Sequence, residues 1–262
     1  MQASAAPDRG RPLGRAGFET GSDVYERARP GYSTEVVEYL IAALGLGTGS
    51  TVLDLAAGTG KMTRRLLQVT RRCLAVEPSS SMLAVLSEAV AEATAVAGTA
   101  EAIPVASGTM DAVVVAQAFH WFDTQEAVAE MARTLRPGGG LALVWNERDE
   151  RDPLVAELVR VSKWDVCLPY PVGKDFSGTI DATSLFGRVD RRQFPFVQLL
   201  DRATFVDQVA SRSYVQVLEE PERGRLLGQV ADLAATREEP IPVPYVADVF
   251  VAKRKNESEE AP

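Results

Sequence analysis

"TVLDLAAGTG" fills residues 51–60, and the fold turns on how it is read. Thr51, Val52, Leu53 and Leu55 suit a strand buried on both faces. The run then stops in a loop of Ala56, Ala57, Gly58, Thr59 and Gly60 that is almost free of bulky side chains. Such a loop either lets backbone approach a ligand or lets a strand and helix pack closely. Residue types alone leave both answers open.

Outward from this stretch, strand-like and helix-like segments alternate. Val36, Val37, Leu40, Ile41 and Leu44 keep helical spacing behind Ser33 as N-cap, and a helix over 60–68 follows the 51–55 strand. "CLAVE" (73–77) is a second strand, "PSSSMLAVLSEAV" a helix, 94–97 a short third strand and "DAVVVAQ" (111–117) a fourth. Asp123 and Glu126 stand in capping-box spacing before a helix whose Val128, Met131 and Leu135 share one face. "RPGGG" (136–140) ends that helix and "LALVWN" (141–146) makes a fifth strand. Apolar strands joined by helices predict a parallel α/β sheet covered on both faces. Further strands are expected at 193–200 and 243–252, where prolines and Asp248 suggest sheet edges.

One domain over 18–252 is expected: a core at 33–150, a helical lid at 152–187 and C-terminal strands and helices at 188–252. Residues 1–17 read as a disordered tail and 253–262 as a charged one. A formal net charge of −8 argues against a nucleic-acid partner. Cys73 and Cys167 stand far apart and His120 is the single histidine, so no metal site is expected, and the mixed charges of "NERDERD" (146–152) read as a solvated loop. Without a membrane span or signal-peptide core, the chain is expected to be cytoplasmic, a monomer or homodimer.

Ligands of open α/β sheets bind outside the carboxyl ends of the strands. There lie the Ala56–Gly60 loop and Glu77, an acid 17 residues past Gly60 that is placed to accept hydrogen bonds from a ribose. Lys61 comes too early for a phosphate-binding P-loop, and "AAGTG" lacks the dinucleotide G-x-G-x-x-G spacing.

"VLDLAAGTGKMT", "LAVEPSSSML", "GTAEAIPVASGTMDAVVVAQAFHWF" and "TLRPGGGLALVWNERD" together resemble, in order over 33–150, the motifs of class I S-adenosylmethionine-dependent methyltransferases. "HWF", "VWNERD" and the C-terminal stretch look closest to bacterial small-molecule enzymes of the trans-aconitate type. The resemblance implies a Rossmann-like seven-stranded, mostly parallel sheet with helices on both faces and a helical lid. It implies S-adenosylmethionine as cofactor and a small-molecule acceptor. Asp54 takes the acidic position of the first motif, and Ala56 replaces its first glycine. Ala57, Gly58 and Gly60 would complete the cofactor loop. Glu77 would hold the ribose, with Pro78 following, and Met82, Ala100 and Glu101 would lie about the adenine, with Gln117 at the end of the fourth strand. Tyr25 and Arg29, in "DVYERARPGY" (23–32), would meet the methionine end.

His120 is either a general base or, the preferred reading, a wall of the pocket; Asn146 would point at the transferring methyl or the acceptor. Trp121, Trp145, Tyr170 and Tyr214 are candidates for the acceptor pocket. Three rivals stand beside methyl transfer: another use of the same cofactor such as cyclisation, a nicotinamide oxidoreductase, and a binding module with a vestigial pocket.

Overall fold

The buried run at 51–55 is the centre of a seven-stranded sheet. The computed structural model describes residues 22–122, 124–162 and 174–256. The strands are β1 (Thr51–Leu55), β2 (Arg72–Glu77), β3 (Thr94–Ala97), β4 (Met110–Ala116), β5 (Leu135–Arg148), β6 (Asp190–Leu200) and β7 (Ile241–Lys253), in the order β3-β2-β1-β4-β5-β7-β6. β1 to β5 are parallel, and β7 runs antiparallel to both of its neighbours. Because the chain leaves β1 toward β2 and later returns to its other side with β4, the strand order reverses between β1 and β4. That reversal opens a crevice at their carboxyl ends.

Alternation along the strands feeds two cores. Val52, Cys73, Ala112, Val114, Ala142, Val144, Ala247 and Val249 face α2 (Thr34–Leu44) and α3 (Lys61–Leu67), with α4 (Ser80–Ala89) laid on the same side through Leu86. Leu53, Leu55, Val113, Val115, Leu141, Leu143 and Phe250 face α5 (Gln125–Thr134) and α7 (Ser177–Asp181). Ser33 caps α2 through its hydroxyl, which accepts the Val36 N–H.

Several sequence expectations need correction. The N-cap of α5 is Thr124, whose hydroxyl accepts the Ala127 N–H at 3.2 Å, while Asp123 lies outside the described residues. "RPGGG" does end α5, but it already belongs to β5: Met110 pairs with Leu135, then Ala112 with Gly140, across a bulge. Gly139 is obligatory there, because a Cβ would stand 2.9 Å from the Arg136 carbonyl oxygen and 3.1 Å from that of Asp111. Of the two C-terminal strands β7 is interior, and only β6 lies at an edge of the sheet, opposite β3 at the other. Asp248 is tolerated inside because Arg191 on β6 grips it with two hydrogen bonds, Nε to Oδ1 at 2.9 Å and the second to Oδ2 at 2.5 Å. Pro242 and Pro244 lie where β7 has run past its last pairing with β5, Tyr245 with Arg148.

The stretch expected as a lid, 152–187, divides, with 163–173 outside the described residues. α6 (Pro153–Ser162) joins α8 (Arg202–Ala210), α9 (Ser213–Gln216) and α10 (Glu222–Ala235) around Phe205, Val215, Val230 and Tyr245. This helical layer therefore comes mostly from the chain after β6. Residues 174–187 instead pack on the sheet, where Phe176 stacks on Trp145 with centroids 4.2 Å apart and planes 2° from parallel. The expected tail is shorter too, since β7 reaches Lys253 and Arg254 bridges Phe186. Residues 1–21, 163–173 and 257–262, and with them the expected N-terminal tail and Tyr170, lie outside the described residues.

Phe176 separates a core segment from a lid. Phe176→Ala should cost about 3–5 kcal/mol in urea unfolding, the range for deleting a buried aromatic. A segment merely resting over the crevice would lose less than about 1 kcal/mol, as exposed positions do.

Candidate active site

The crevice between β1 and β4 is floored by Leu55 and Ala116 and continues along the carboxyl end of β2. Ala56 and Gln117, the residues following β1 and β4, both adopt left-handed backbone, with φ of 55° and 60°. Non-glycine residues pay about 1–3 kcal/mol for such conformations, and here two of them line the crevice at adjacent strand ends. Gln117 is held by its N–H donating to the Val144 carbonyl at 2.8 Å and by its side-chain amide donating to the Asn146 carbonyl at 3.3 Å.

Glu77 ends β2 with its carboxylate buried in the crevice wall. One oxygen accepts the Gly58 N–H and the other the Ser79 N–H, each at 2.8 Å. The carboxylate is thereby fixed in orientation by a backbone donor on each oxygen. Ser79 also caps α4, its hydroxyl accepting the Met82 N–H, which sets Met82 in the wall beside Pro78. Ala100, Glu101, Trp121 and Phe122 close the far side.

The loop divides its work between the two answers raised by its sequence. A Cβ on Gly58, at φ 58°, would meet only the Met82 sulfur at 3.7 Å, so that glycine presents bare backbone to the crevice. A Cβ on Gly60, at φ 83°, would stand 2.8 Å from Val90 and 3.2 Å from Leu86, so that glycine lets α3 and α4 pack. Ala57 is likewise packed, against Ala75 and Leu86. Asp54 lies beneath the loop, fully buried, accepting the Thr63 hydroxyl at 2.6 Å. Burial foremost, and the nearby Glu77 charge, push its carboxyl up to about 7.

The remaining candidates scatter. His120 sits in the 3₁₀ turn Phe119–Trp121 with its ring 4.8 Å from that of Trp121. Burial and the Lys174 ammonium push its imidazole down to about 3, so it is neutral at ordinary pH. The Asn146 side chain donates to the Gly31 carbonyl at 2.9 Å, tying the approach to α2 onto β5. Arg29 reaches the helical layer, where its Nε donates to the Ser211 hydroxyl at 2.9 Å. The Tyr25 side chain lies outside what is described, although its backbone belongs to α1 (Ser22–Ala28). The Tyr214 hydroxyl donates to the Ser162 carbonyl at 2.8 Å within the helical layer. Trp145 is 1% exposed and edge-on to Phe119 and Phe250, so it is a core residue and not an acceptor wall.

Sequence reasoning missed Glu26. From α1 it accepts the Thr59 hydroxyl at 2.5 Å, hydrogen-bonds Arg64 and pairs with Lys61 at 3.7 Å, clasping α1 onto the loop and α3. Its partners are 33 or more positions away, and nothing local signals them. Ser79 did carry a local signal, a serine two residues past the strand-end acid.

The residues present suit a nucleoside cofactor: a fixed carboxylate for ribose hydroxyls, bare backbone at Gly58, and apolar walls about Met82 and Ala100. Residues 53–143 match the family model described as a methyltransferase domain. The chain is 40% identical over 222 residues to an uncharacterised methyltransferase of Mycobacterium tuberculosis, covering 84% of this chain and 86% of that protein. In structure it resembles a putative type II methyltransferase from Anaeromyxobacter dehalogenans (TM-score 0.62, 19% identity, 87% of this chain and 97% of that one). It also resembles phosphoethanolamine N-methyltransferase 2 of Haemonchus contortus in complex with S-adenosyl-L-methionine (TM-score 0.55, 15% identity, 92% of this chain and 57% of that one).

Two loop variants should part company. Gly58→Val should abolish S-adenosylmethionine binding in calorimetry while the protein stays folded by circular dichroism. Gly60→Ala should lower unfolding free energy by about 1–3 kcal/mol through overpacking.

Two shifted groups predict opposed pH dependences. Asp54, raised to about 7, contributes stability at low pH that is lost as pH rises through 7. His120, lowered to about 3, contributes stability above its ordinary value of 6.5 that is lost as pH falls toward 3. Between about pH 4 and 6.5 the slopes oppose, each up to about 1.4 kcal/mol per pH unit. Relative to the parent, Asp54→Asn should gain stability with rising pH in this window and His120→Asn should lose it, read by urea titration at each pH.

Proposed function

This chain belongs to the class I S-adenosylmethionine-dependent methyltransferases, and from that premise we propose that it methylates a small-molecule acceptor by in-line transfer. The observation that carries the reading is the fixed Glu77 carboxylate beside the bare Gly58 backbone at the β1–β4 switch point. When bound, the sulfonium cofactor supplies a methyl group that is already activated.

The chain's own part is to bind, orient and exclude water. Glu77 accepts the ribose hydroxyls, its carboxylate held in orientation by the Gly58 and Ser79 N–H groups. Gly58 lets the loop approach closely, and Met82, Ala100 and Phe122 pack about the base. On the β4 side of the crevice Gln117 stands toward the cofactor and Trp121 toward the acceptor. His120 supports Trp121 from outside the residues that line the crevice, and an imidazole at about 3 is a weak proton acceptor, which suits an acceptor that arrives deprotonated. Arg29 and Tyr25 stay candidates for the methionine end, with α1 clasped by Glu26 above the loop.

A small acceptor is supported by the net charge of −8, which repels nucleic acid, and by the helical layer beside the crevice. Among the described residues no helix is long and apolar enough to cross a membrane. A cytoplasmic setting fits a chain with two widely spaced cysteines, Cys73 being buried and free.

Protein incubated with methyl-labelled S-adenosylmethionine and a panel of carboxylic acids, phenols, amines, peptides and RNA should place label on a small molecule. Label on peptide or RNA alone would overturn the small-acceptor reading. Glu77→Ala should weaken cofactor binding by about 1.5–3 kcal/mol, measured by calorimetry.

A further inference from the structure

Two carboxylates grip the turn after β1. One belongs to the crevice wall, where Glu77 accepts the Gly58 N–H at 2.8 Å. The other comes from α1, outside the residues that line the crevice: Glu26 accepts the hydroxyl of the buried Thr59 at 2.5 Å. Between these grips the backbone is bent hard, with φ of 55° at Ala56, 58° at Gly58 and 83° at Gly60. A segment with three left-handed residues in five has no helix or strand ladder, and it keeps its shape only where contacts around it fix that shape. Two backbone bonds stitch it, the Ala57 N–H to the Val76 carbonyl at 3.1 Å and the Gly60 N–H to the Ala57 carbonyl at 3.0 Å. Thr59 is the one loop residue with a polar side chain, so any side-chain anchor must be its hydroxyl.

Glu26 is held in place to receive that hydroxyl. Arg64 donates to its second carboxylate oxygen, and the Lys61 ammonium lies 3.7 Å from the oxygen that Thr59 reaches. Lys61 also donates to the Glu26 carbonyl. Both cations stand on α3, directly after the loop, so a single carboxylate joins α1 to the loop and to the helix that follows it. At 27% and 17% side-chain exposure, Glu26 and Lys61 are screened less than a pair at the surface. The tie between Arg27 on α1 and Asp207 on α8, at 3.3 Å, is more exposed and touches no loop residue.

We propose that Glu26 is a positioning residue for the cofactor: through the Thr59 hydroxyl it keeps the loop in its binding shape before S-adenosylmethionine arrives. Gly58 presents bare backbone to the crevice only while the bends on either side of it are kept. A loop released by Glu26 spreads over other conformations, and a cofactor that binds one fraction of them loses apparent affinity by that fraction. The role rests on the methyltransferase reading of the crevice but needs no particular acceptor.

Calorimetry of the full chain with S-adenosylhomocysteine reads this role without turnover, beside urea unfolding of each unliganded variant. Glu26→Ala and Thr59→Val should each weaken binding about tenfold, the loss expected when about a tenth of the loops stay competent. Thr59→Ser, which keeps the hydroxyl, should recover most of the parent affinity. Adding Thr59→Val to Glu26→Ala should cost little more than Glu26→Ala alone, because both remove one bond. Arg27→Ala, which frees α1 from Asp207 and leaves the loop untouched, should stay within about twofold of the parent. Should Glu26→Ala fail to fold, Thr59→Val and Thr59→Ser carry the comparison. A merely structural clasp would lower the unfolding free energy of the variants and leave the folded protein's affinity at the parent value, and that result would overturn the role. Fully additive losses in the double variant, or an equal loss in Arg27→Ala, would overturn the route through Thr59. The expected losses in a protein that methylates no acceptor would uphold Glu26 and count against methyl transfer.

Discussion

The carboxylate of Glu77 is the interaction on which the crevice depends. It bridges two loops, accepting one N–H from the turn after β1 and one from the turn after β2. Without it those donors would be buried near the ends of two parallel strands with no partner, at about 1–3 kcal/mol each. With it, the two loops hold a common spacing and Gly58 keeps its bare backbone toward the ligand. A residue that would bind the ribose is therefore also the residue that builds the wall, so its removal cannot be a purely local event.

The β1 loop shows how far a sequence reaches. Strand, small-residue turn, helix and the acid ending β2 were all legible because each rests on local chemistry or on spacing within one βαβ unit. The same locality found the Ser33 cap. It could not divide the loop, since Gly58 and Gly60 look alike until Val90 and Leu86 arrive from α4 to crowd one of them. Trp145 was legible but misread: it shares the parity of Leu141 and Leu143, and period-two alternation sends it into the core. The β7 error had a different source. Proline and aspartate suggest an edge, and only Arg191, 57 positions away, makes Asp248 acceptable inside. Arg148 and Gln208 were beyond any sequence signal, being 60 positions apart and joined only by the closure of the helical layer.

Asp54 and His120 show how burial sets chemistry here. Each is a titratable group held in its neutral direction, one from above and one from below its ordinary value. The aspartate holds Thr63 and so the start of α3, a structural task that needs no charge. The histidine, deprived of basicity, becomes an aromatic plate beside Trp121. His120, the one group weighed as a general base from the sequence, is thus a poor proton acceptor in the fold.

The clasp of α1 has a consequence in time. Glu26 reaches Thr59 and Arg64, but Arg27 pairs with Asp207 and Arg29 with Ser211, 180 and 182 positions later. During synthesis the first of these contacts can form as soon as α3 has emerged from the ribosome. The others must wait until α8 has been made, after nearly the whole sheet has been strung. The first of the described helices is therefore among the last to be locked, and a nascent protein holds a finished cofactor crevice before it owns a finished roof.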